Sequence, residues 1–285
     1  MIFQYFMEKD IKLGVVQRLI IDRHASNGVY LTALDSSKSV LLPANQVTDD
    51  MQDGNSVEVF VYKDSEDRII ATTKIPPISL GKLARLKVKD VTKIGAFLDW
   101  GLAKDLFLPF KEQSRHPGKG EEVLVGLYID KSDRLCATMR LYKYLETGSE
   151  YKKGDSVSGT VYEIIDNFGT FIAVDDKFSA MIPKREVIKT PLRPGDSITA
   201  TVSNVLADGK LELTLRSAST EMEETNTILE MLEKAGGFLP YGDKTDSDTI
   251  RQVFNMSKKS FKRDLGHLYK ERKIVIEENG IRLAE

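Results

Sequence analysis

The segment Phe168-Gly169-Thr170-Phe171 decides the fold, because its pattern occurs three times along the chain. The two other copies are Asn27-Gly28-Val29-Tyr30 and Ile94-Gly95-Ala96-Phe97. Each copy follows a run of alternating apolar and polar residues, which is typical of a half-buried β-strand. A repeat of this kind predicts consecutive copies of one small β-rich domain.

Further landmarks recur in the same order around each copy. A proline follows the central glycine after 14 or 15 residues, and a glycine in a polar turn follows the proline after another 11 or 12. The landmarks are Pro43, Pro109 and Pro183, then Gly54, Gly120 and Gly195. Each unit ends with two short strands joined by a polar turn. About five short strands in so small a unit can bury their edges by closing into an OB-type barrel.

The pattern becomes helical from Glu221 onward. A first helix is predicted to end at Gly236-Gly237, a second to begin near Ser247, and a third to begin after Ser257 as its N-cap. The residues predicted to face the core are Ile228, Leu229, Met231, Leu232, Ala235, Ile250, Val253, Phe254, Phe261, Leu265 and Leu268. A hairpin is predicted around Asn279-Gly280. Three helices followed by a hairpin indicate a winged helix.

The predicted fold class is therefore mostly β with a C-terminal α+β domain. We expect a divergent first barrel over 1–76, a basic second barrel over 79–144, a third barrel over 150–218 and a winged helix over 221–285. Residues 74–77 and 147–149 are predicted to link the barrels.

The third unit, from Gly154-Asp155-Ser156-Val157 through Phe168-Gly169-Thr170-Phe171 to Leu211-Glu212-Leu213-Thr214, resembles an S1 RNA-binding domain. The second unit is similar but has Ile94 where that family usually has Phe, and the first has Asn27 there. With the tail Met256–Leu283, nearly the whole chain resembles the conserved virulence factor B family, also called the YitL-like S1 proteins. This resemblance implies a cytoplasmic, bacterial RNA-binding protein that influences gene expression, with no catalytic activity or cofactor.

Charge is unevenly distributed along the chain. The net charge is −2, but residues 79–145 carry 13 basic and 8 acidic side chains. Nucleic-acid binding depends on a local basic face rather than on the total charge, so the second unit is a candidate.

Strand alternation identifies candidate RNA-binding residues. Phe97 shares a strand face with Asp99, and the aspartate indicates that this face is exposed to solvent. Tyr30 and Phe171 occupy the equivalent positions in the other two units. Exposed rings there can stack on bases. The secondary candidates are Phe168 and Phe107, and the bordering cations are Lys93, Lys104, Lys111, Lys184 and Arg185. An aromatic residue on a short barrel strand often belongs to the core, and Phe107, in an apolar run, is expected to be buried.

The third helix of the winged helix carries a second basic candidate surface. Its cations are Lys258, Lys259, Lys262, Arg263 and Lys270. This helix is the usual reading element in a major groove, although any surface helix has a polar face.

Other functions lack a motif in the sequence. His24, His116 and His267 are widely separated, so no metal site is predicted, and no P-loop, nucleophile elbow or Cys–His pair occurs. No apolar run reaches the roughly 20 residues that span a bilayer. The single cysteine, Cys136, is expected to be buried in a cytoplasmic protein. We predict neither an enzyme nor a cofactor.

Three functional hypotheses remain open. The first is binding of single-stranded RNA by the second and third barrels, with the first barrel mainly a spacer and the winged helix adding duplex or structured-RNA contacts. The second is a DNA-binding regulator in which the winged helix contacts DNA and the barrels bind protein. The third is an adaptor that docks on proteins of a ribosome or an RNA-degradation complex.

Overall fold

The computed structural model describes residues 10–34, 36–186, 191–215 and 218–284. These residues form three closed five-stranded barrels and a C-terminal domain of three helices and a three-stranded sheet. The predicted fold class, mostly β with a C-terminal α+β domain, is confirmed. The chain divides into two compact units, Met1–Leu145 with the first two barrels and Glu146–Glu285 with the third barrel and the C-terminal domain.

The three barrels share one strand order, in which the first strand lies between the second and the fourth. The first barrel consists of β1 (Val16–Ala25), β2 (Gly28–Thr32), β3 (Ser39–Pro43), β4 (Ser56–Lys63) and β5 (Ile69–Thr72). The second consists of β6 (Leu83–Thr92), β7 (Gly95–Asp99), β8 (Leu106–Pro109), β9 (Glu122–Ile129) and β10 (Leu135–Thr138). The third consists of β11 (Ser156–Ile165), β12 (Gly169–Val174), β13 (Phe178–Pro183), β14 (Ser197–Val205) and β15 (Leu211–Thr214). Short 3-10 helices cover Ala44–Gln46, Phe110–Glu112 and Tyr142–Tyr144.

The repeated glycine is required by the approach of the third strand of each barrel. At Gly169 the backbone has φ of +141°, and a Cβ would lie 2.1 Å from the carbonyl oxygen of Ile182. The equivalent glycines of the other two barrels meet the same obstacle. Each glycine pairs with the landmark proline that ends the third strand, as Gly169 does with Pro183. The spacing seen in the sequence is thus the length of one hairpin.

Alternating residues of the strands fill the three barrel interiors, as the period-2 pattern predicts. Val29 and Leu31, on either side of Tyr30, are fully buried, and Thr170 and Ile172 are buried on either side of Phe171. In the second barrel the corresponding residues are Ala96 and Leu98.

Trp100 joins the cores of the first and second barrels. The rings of Phe60 and Tyr62, both on β4, meet its ring edge-on at centroid distances of 5.8 and 6.2 Å. These three buried side chains belong to one hydrophobic cluster with the interior of the second barrel. Lys104 adds polar contacts, because its Nζ donates to the carbonyl oxygen of Asp64 at 2.8 Å and to Oδ1 of Asp67 at 2.9 Å. The two barrels are therefore held at a packed junction.

The C-terminal domain is a winged helix. Its elements are α1 (Ala218–Lys234), β16 (Phe238–Leu239), α2 (Ser247–Phe254), α3 (Lys258–Lys270), β17 (Ile274–Glu277) and β18 (Gly280–Leu283). Ser257 caps α3 by accepting a hydrogen bond from the backbone N–H of Ser260, as predicted. Phe261, Leu265 and Leu268 are buried in the core.

Three details of this domain differ from the predictions. Ala235 is exposed, because α1 ends at Lys234 and the chain turns through Gly236. Strand β16, which pairs with β18, was not predicted, because two residues are too few to show a period. The hairpin loop is Glu278-Asn279, and Gly280 lies in β18, where a Cβ would come within 2.2 Å of the carbonyl oxygen of Leu239.

Candidate nucleic-acid interface

The three predicted stacking residues occupy one equivalent position in the three barrels. Tyr30, Phe97 and Phe171 each lie two residues after the repeated glycine, and all three are half-buried. Each pairs with the first-strand residue just after a β-bulge. The bulge lies on the first strand of each barrel, so the same local irregularity recurs beside all three rings.

In the second barrel the ring is doubled. The centroids of Phe97 and Phe107 lie 5.2 Å apart with an interplanar angle of 35°. The expectation that Phe107 is buried is wrong, because Leu106 and Leu108 take the inward positions of β8 and leave Phe107 half-exposed. The Phe107 ring also lies over the bare backbone of Gly95. A Cβ at this glycine would lie only 2.9 Å from Cε2 of Phe107.

In the first barrel the ring is covered by a cation. The guanidinium carbon of Arg23 lies 4.2 Å from the centroid of the Tyr30 ring, within the range of a cation–π contact. Arg23 was not among the predicted site residues, although it pairs with Tyr30 across the first hairpin. The ring of Tyr30 is thus presented next to a positive charge.

In the third barrel the exposed aromatic surface extends to the hairpin tip. Phe168 is 63% exposed, and Ile164 and Ile165 beside it are also exposed. Phe171 lies 6.2 Å from the buried ring of Tyr162. Ile94, which occupies the place of Phe168 in the second barrel, is similarly 62% exposed.

The predicted barrel cations differ in their partners. Lys93, Lys111 and Lys184 are exposed. Arg185, also exposed, forms a salt bridge with Glu212 at 3.1 Å. Lys104 differs from the other four, since its ammonium group donates a hydrogen bond to Asp67 of the first barrel. This hydrogen bond and the positive charge of Lys104 lower the pKa of Asp67.

A cleft of about 450 Å³ lies at the junction of the first and second barrels. The Phe97–Phe107 pair lines it together with Trp100. The end of β4 contributes Tyr62 and Lys63 to the lining, and the turn before β10 contributes Arg134. These three residues were not predicted, because the docking of two barrels, and not strand periodicity, brings them close to the stacking residues.

The predicted basic residues of the winged helix lie on or near one face of α3. Lys259, Lys262, Arg263 and Lys270 are exposed, and Lys258 is half-buried. Lys262 forms a salt bridge with Asp243 at 2.8 Å, and Arg263 forms one with Asp264 at 2.9 Å. The arrangement supplies positive charge along a helix that can approach phosphates.

Two observations in the described residues concern the cysteine and possible metal ligands. Burial raises the pKa of the Cys136 thiol to about 11, so the thiol is protonated in neutral solution. No group of three or more His, Cys, Asp or Glu side chains placed to hold a metal ion occurs in the part of the chain that the structure describes. None of the helices described here is long and apolar enough to cross a membrane.

Comparison with known proteins gives two family matches. The S1 domain family model matches residues 13–74 and 80–140, which are the first and second barrels. In sequence these two units resemble an S1 domain less closely than the third unit does. The CvfB-like winged helix domain model matches residues 226–283.

Similar proteins extend over nearly the full chain. The uncharacterized protein YitL of Bacillus subtilis is 34% identical and covers 96% of this chain and 94% of its own length. Conserved virulence factor B of Staphylococcus epidermidis is 28% identical over 98% of this chain and 97% of that protein. A solved structure described as a multidomain protein with nucleic acid binding domains from Streptococcus pneumoniae is 24% identical, covers 95% of this chain and 98% of that one, and has a TM-score of 0.48.

Proposed function

This chain belongs to the family of YitL and conserved virulence factor B, and from that premise we propose that it binds single-stranded RNA through its S1 barrels. The observation that carries the proposal is the repeated half-exposed ring at Tyr30, Phe97 and Phe171. OB-type barrels hold single strands by stacking bases on such rings and by placing cations along the backbone. The pairing of Phe97 with Phe107 makes the second barrel the strongest platform.

The biological role that we propose is post-transcriptional regulation of gene expression in the cytoplasm. The matched families are an S1 domain and a winged helix, so binding rather than catalysis is the proposed activity. Sequence-tolerant stacking suits a protein that acts on many transcripts, because every base has an aromatic face.

A fluorescence anisotropy titration tests the proposal. The full-length protein is titrated with a labelled 20-mer single-stranded RNA at two salt concentrations, beside the DNA equivalent and a duplex RNA. We expect salt-sensitive RNA binding, and Phe97→Ala with Phe171→Ala should raise Kd at least roughly thirtyfold, since each stacked base contributes about 1–3 kcal/mol. Tyr142→Ala, which removes an exposed ring outside the three equivalent positions, is the control. Absence of binding to any nucleic acid at low salt refutes the proposal and favours a protein-docking adaptor.

The winged helix is proposed to add contacts with structured or duplex RNA. The exposed cations Lys259, Arg263 and Lys270 on α3 support this role. They also support the second candidate function, a DNA-binding regulator, because the third helix of a winged helix enters the major groove of DNA. Lys259→Ala with Arg263→Ala distinguishes the two. A loss confined to duplex DNA favours the regulator, and a loss on RNA favours the RNA-binding protein.

A further inference from the structure

The junction cleft has features of a built binding site rather than of a surface irregularity. Its volume of about 450 Å³ falls within the range of small-molecule sites, about 300–1,000 Å³. One wall belongs to the first barrel and the other to the second. The edge contacts of Trp100 with Phe60 and Tyr62 fix the separation of these walls. A site held open by core packing loses little conformational entropy when it is filled.

The chemistry of the cleft combines an aromatic wall with cations. Phe97 and Phe107 present half-exposed rings to it, and Lys63 and Arg134 lie on its lining. The two lining carboxylates are already engaged, because Asp67 accepts a hydrogen bond from Lys104 and Asp105 one from Lys89. A ligand that suits this lining has a flat π-face and a negative charge, which a nucleotide supplies with its base and its phosphate.

We propose that the cleft between the first and second barrels takes one nucleotide of a bound single-stranded RNA. Its base lies against Phe97 and Phe107, and its phosphate lies near Lys63 and Arg134. This inference rests on the proposed function and extends it, since the first barrel, predicted from the sequence to be mainly a spacer, supplies one wall of a binding site.

Trp100 reports directly on the cleft. It is the one tryptophan of the chain, it lines the cleft, and its indole Nε1–H donates to the carbonyl oxygen of Lys104 at 2.6 Å. Titration of the full-length protein with an unlabelled 20-mer single-stranded RNA should change tryptophan emission saturably. The midpoint should agree with that of the anisotropy titration, because both follow the same bound strand.

Arg134 and Arg68 provide a matched pair of variants. Each arginine donates to the aspartate four residues earlier in the same kind of turn, Arg134 to Asp130 and Arg68 to Asp64. Of these two arginines, Arg134 lines the cleft, and Arg68 is not among the described residues that line it. Arg134→Ala should raise Kd for the RNA about tenfold, the effect of one lost charge-assisted contact, and should lower the salt slope by about one. Arg68→Ala should leave Kd within about twofold of the unaltered protein.

Lys63→Ala supplies a second variant on the wall of the first barrel, with an expected loss of similar size. RNA binding with unchanged Trp100 emission overturns the cleft assignment and leaves RNA binding intact. Equal affinities of the Arg134→Ala and Arg68→Ala variants for the RNA have the same consequence. A protein that binds no RNA in the anisotropy titration overturns the proposed function and the cleft with it.

Discussion

Gly266 lies in the middle of α3, where a glycine weakens the helix. Its ideal Cβ would have no heavy atom of the described chain within 4 Å, so an alanine fits without strain. Alanine is more favourable than glycine in a helix interior by about 0.8–1.0 kcal/mol. Gly266→Ala should therefore raise the unfolding free energy of the winged helix by about 1 kcal/mol and slow hydrogen exchange of the α3 amides roughly fivefold.

The same substitution should weaken nucleic-acid binding. Gly266 lies on the helix between the exposed cations Arg263 and Lys270, three residues after one and four before the other. A bare backbone at that place lets a phosphate chain approach the helix closely, and a methyl group would intrude. We expect Kd for duplex RNA to rise roughly fivefold or more, a steric cost of about 1 kcal/mol or above.

Asn226→Ala is the matched control for this prediction. Asn226 is exposed on α1, so its replacement should also stabilise a helix, by up to about 0.7 kcal/mol, without altering the face of α3. Hydrogen exchange and anisotropy titration of the full-length variants measure both effects. A Gly266→Ala protein that is more stable and binds duplex RNA as well as the unaltered protein would refute the role of the bare backbone.

Two further predictions concern the barrels. Gly169→Ala should destabilise the third barrel by about 2–5 kcal/mol, since φ is positive and the carbonyl oxygen of Ile182 blocks the Cβ. Gly154→Ala, at a glycine with positive φ but open space among the described residues, should cost only about 1–2 kcal/mol. Hydrogen exchange of the β12 amides measures both losses, and equal losses would contradict the role of the close approach at Gly169. Cys136 should react slowly with iodoacetamide in neutral buffer because burial raises its pKa to about 11. Fast labelling of the native protein would contradict this prediction. The pKa of the folded thiol lies above that of the unfolded thiol, so the protonated thiol stabilises the folded protein at neutral pH. The free energy of unfolding should therefore fall as the pH rises toward 11.

The barrels were predictable because their determinants are local. A glycine that no other residue can replace and a proline at the far end of the same hairpin leave a fixed spacing in the sequence, as Gly169 and Pro183 do. The capping of α3 by Ser257 is local in the same way. Each of these features depends on residues within about fifteen positions of one another, so pattern and propensity suffice.

The elements that were missed depend on distant partners. Gly280 resembled a turn residue beside Asn279, but its need for a small side chain comes from Leu239 on another strand. Phe107 resembled core because its neighbours are apolar, yet β8 turns it outward onto Phe97. Composition around a residue does not fix the direction of its side chain, whereas strand register does.

The candidate site shows the same division between local and distant information. Tyr30, Phe97 and Phe171 could be placed on one strand face from alternation alone, and the structure leaves all three half-exposed. The cleft could not be predicted, because Lys63 and Arg134 are separated in sequence and line one cleft only where the two barrels dock.

Arg68 and Arg134 show how a repeat acquires different roles from one motif. Both stabilise the turn between the last two strands of a barrel by the same hydrogen bonds to an aspartate. In the second barrel that turn leads into β10, and Arg134 lines the cleft against the first barrel. The equivalent Arg68 has no place in that lining. Sequence equivalence therefore predicts equal contributions to folding, and only docking against a neighbouring barrel predicts a contribution to binding. A stability assay should give similar losses for the two alanine variants, and an RNA titration should separate them.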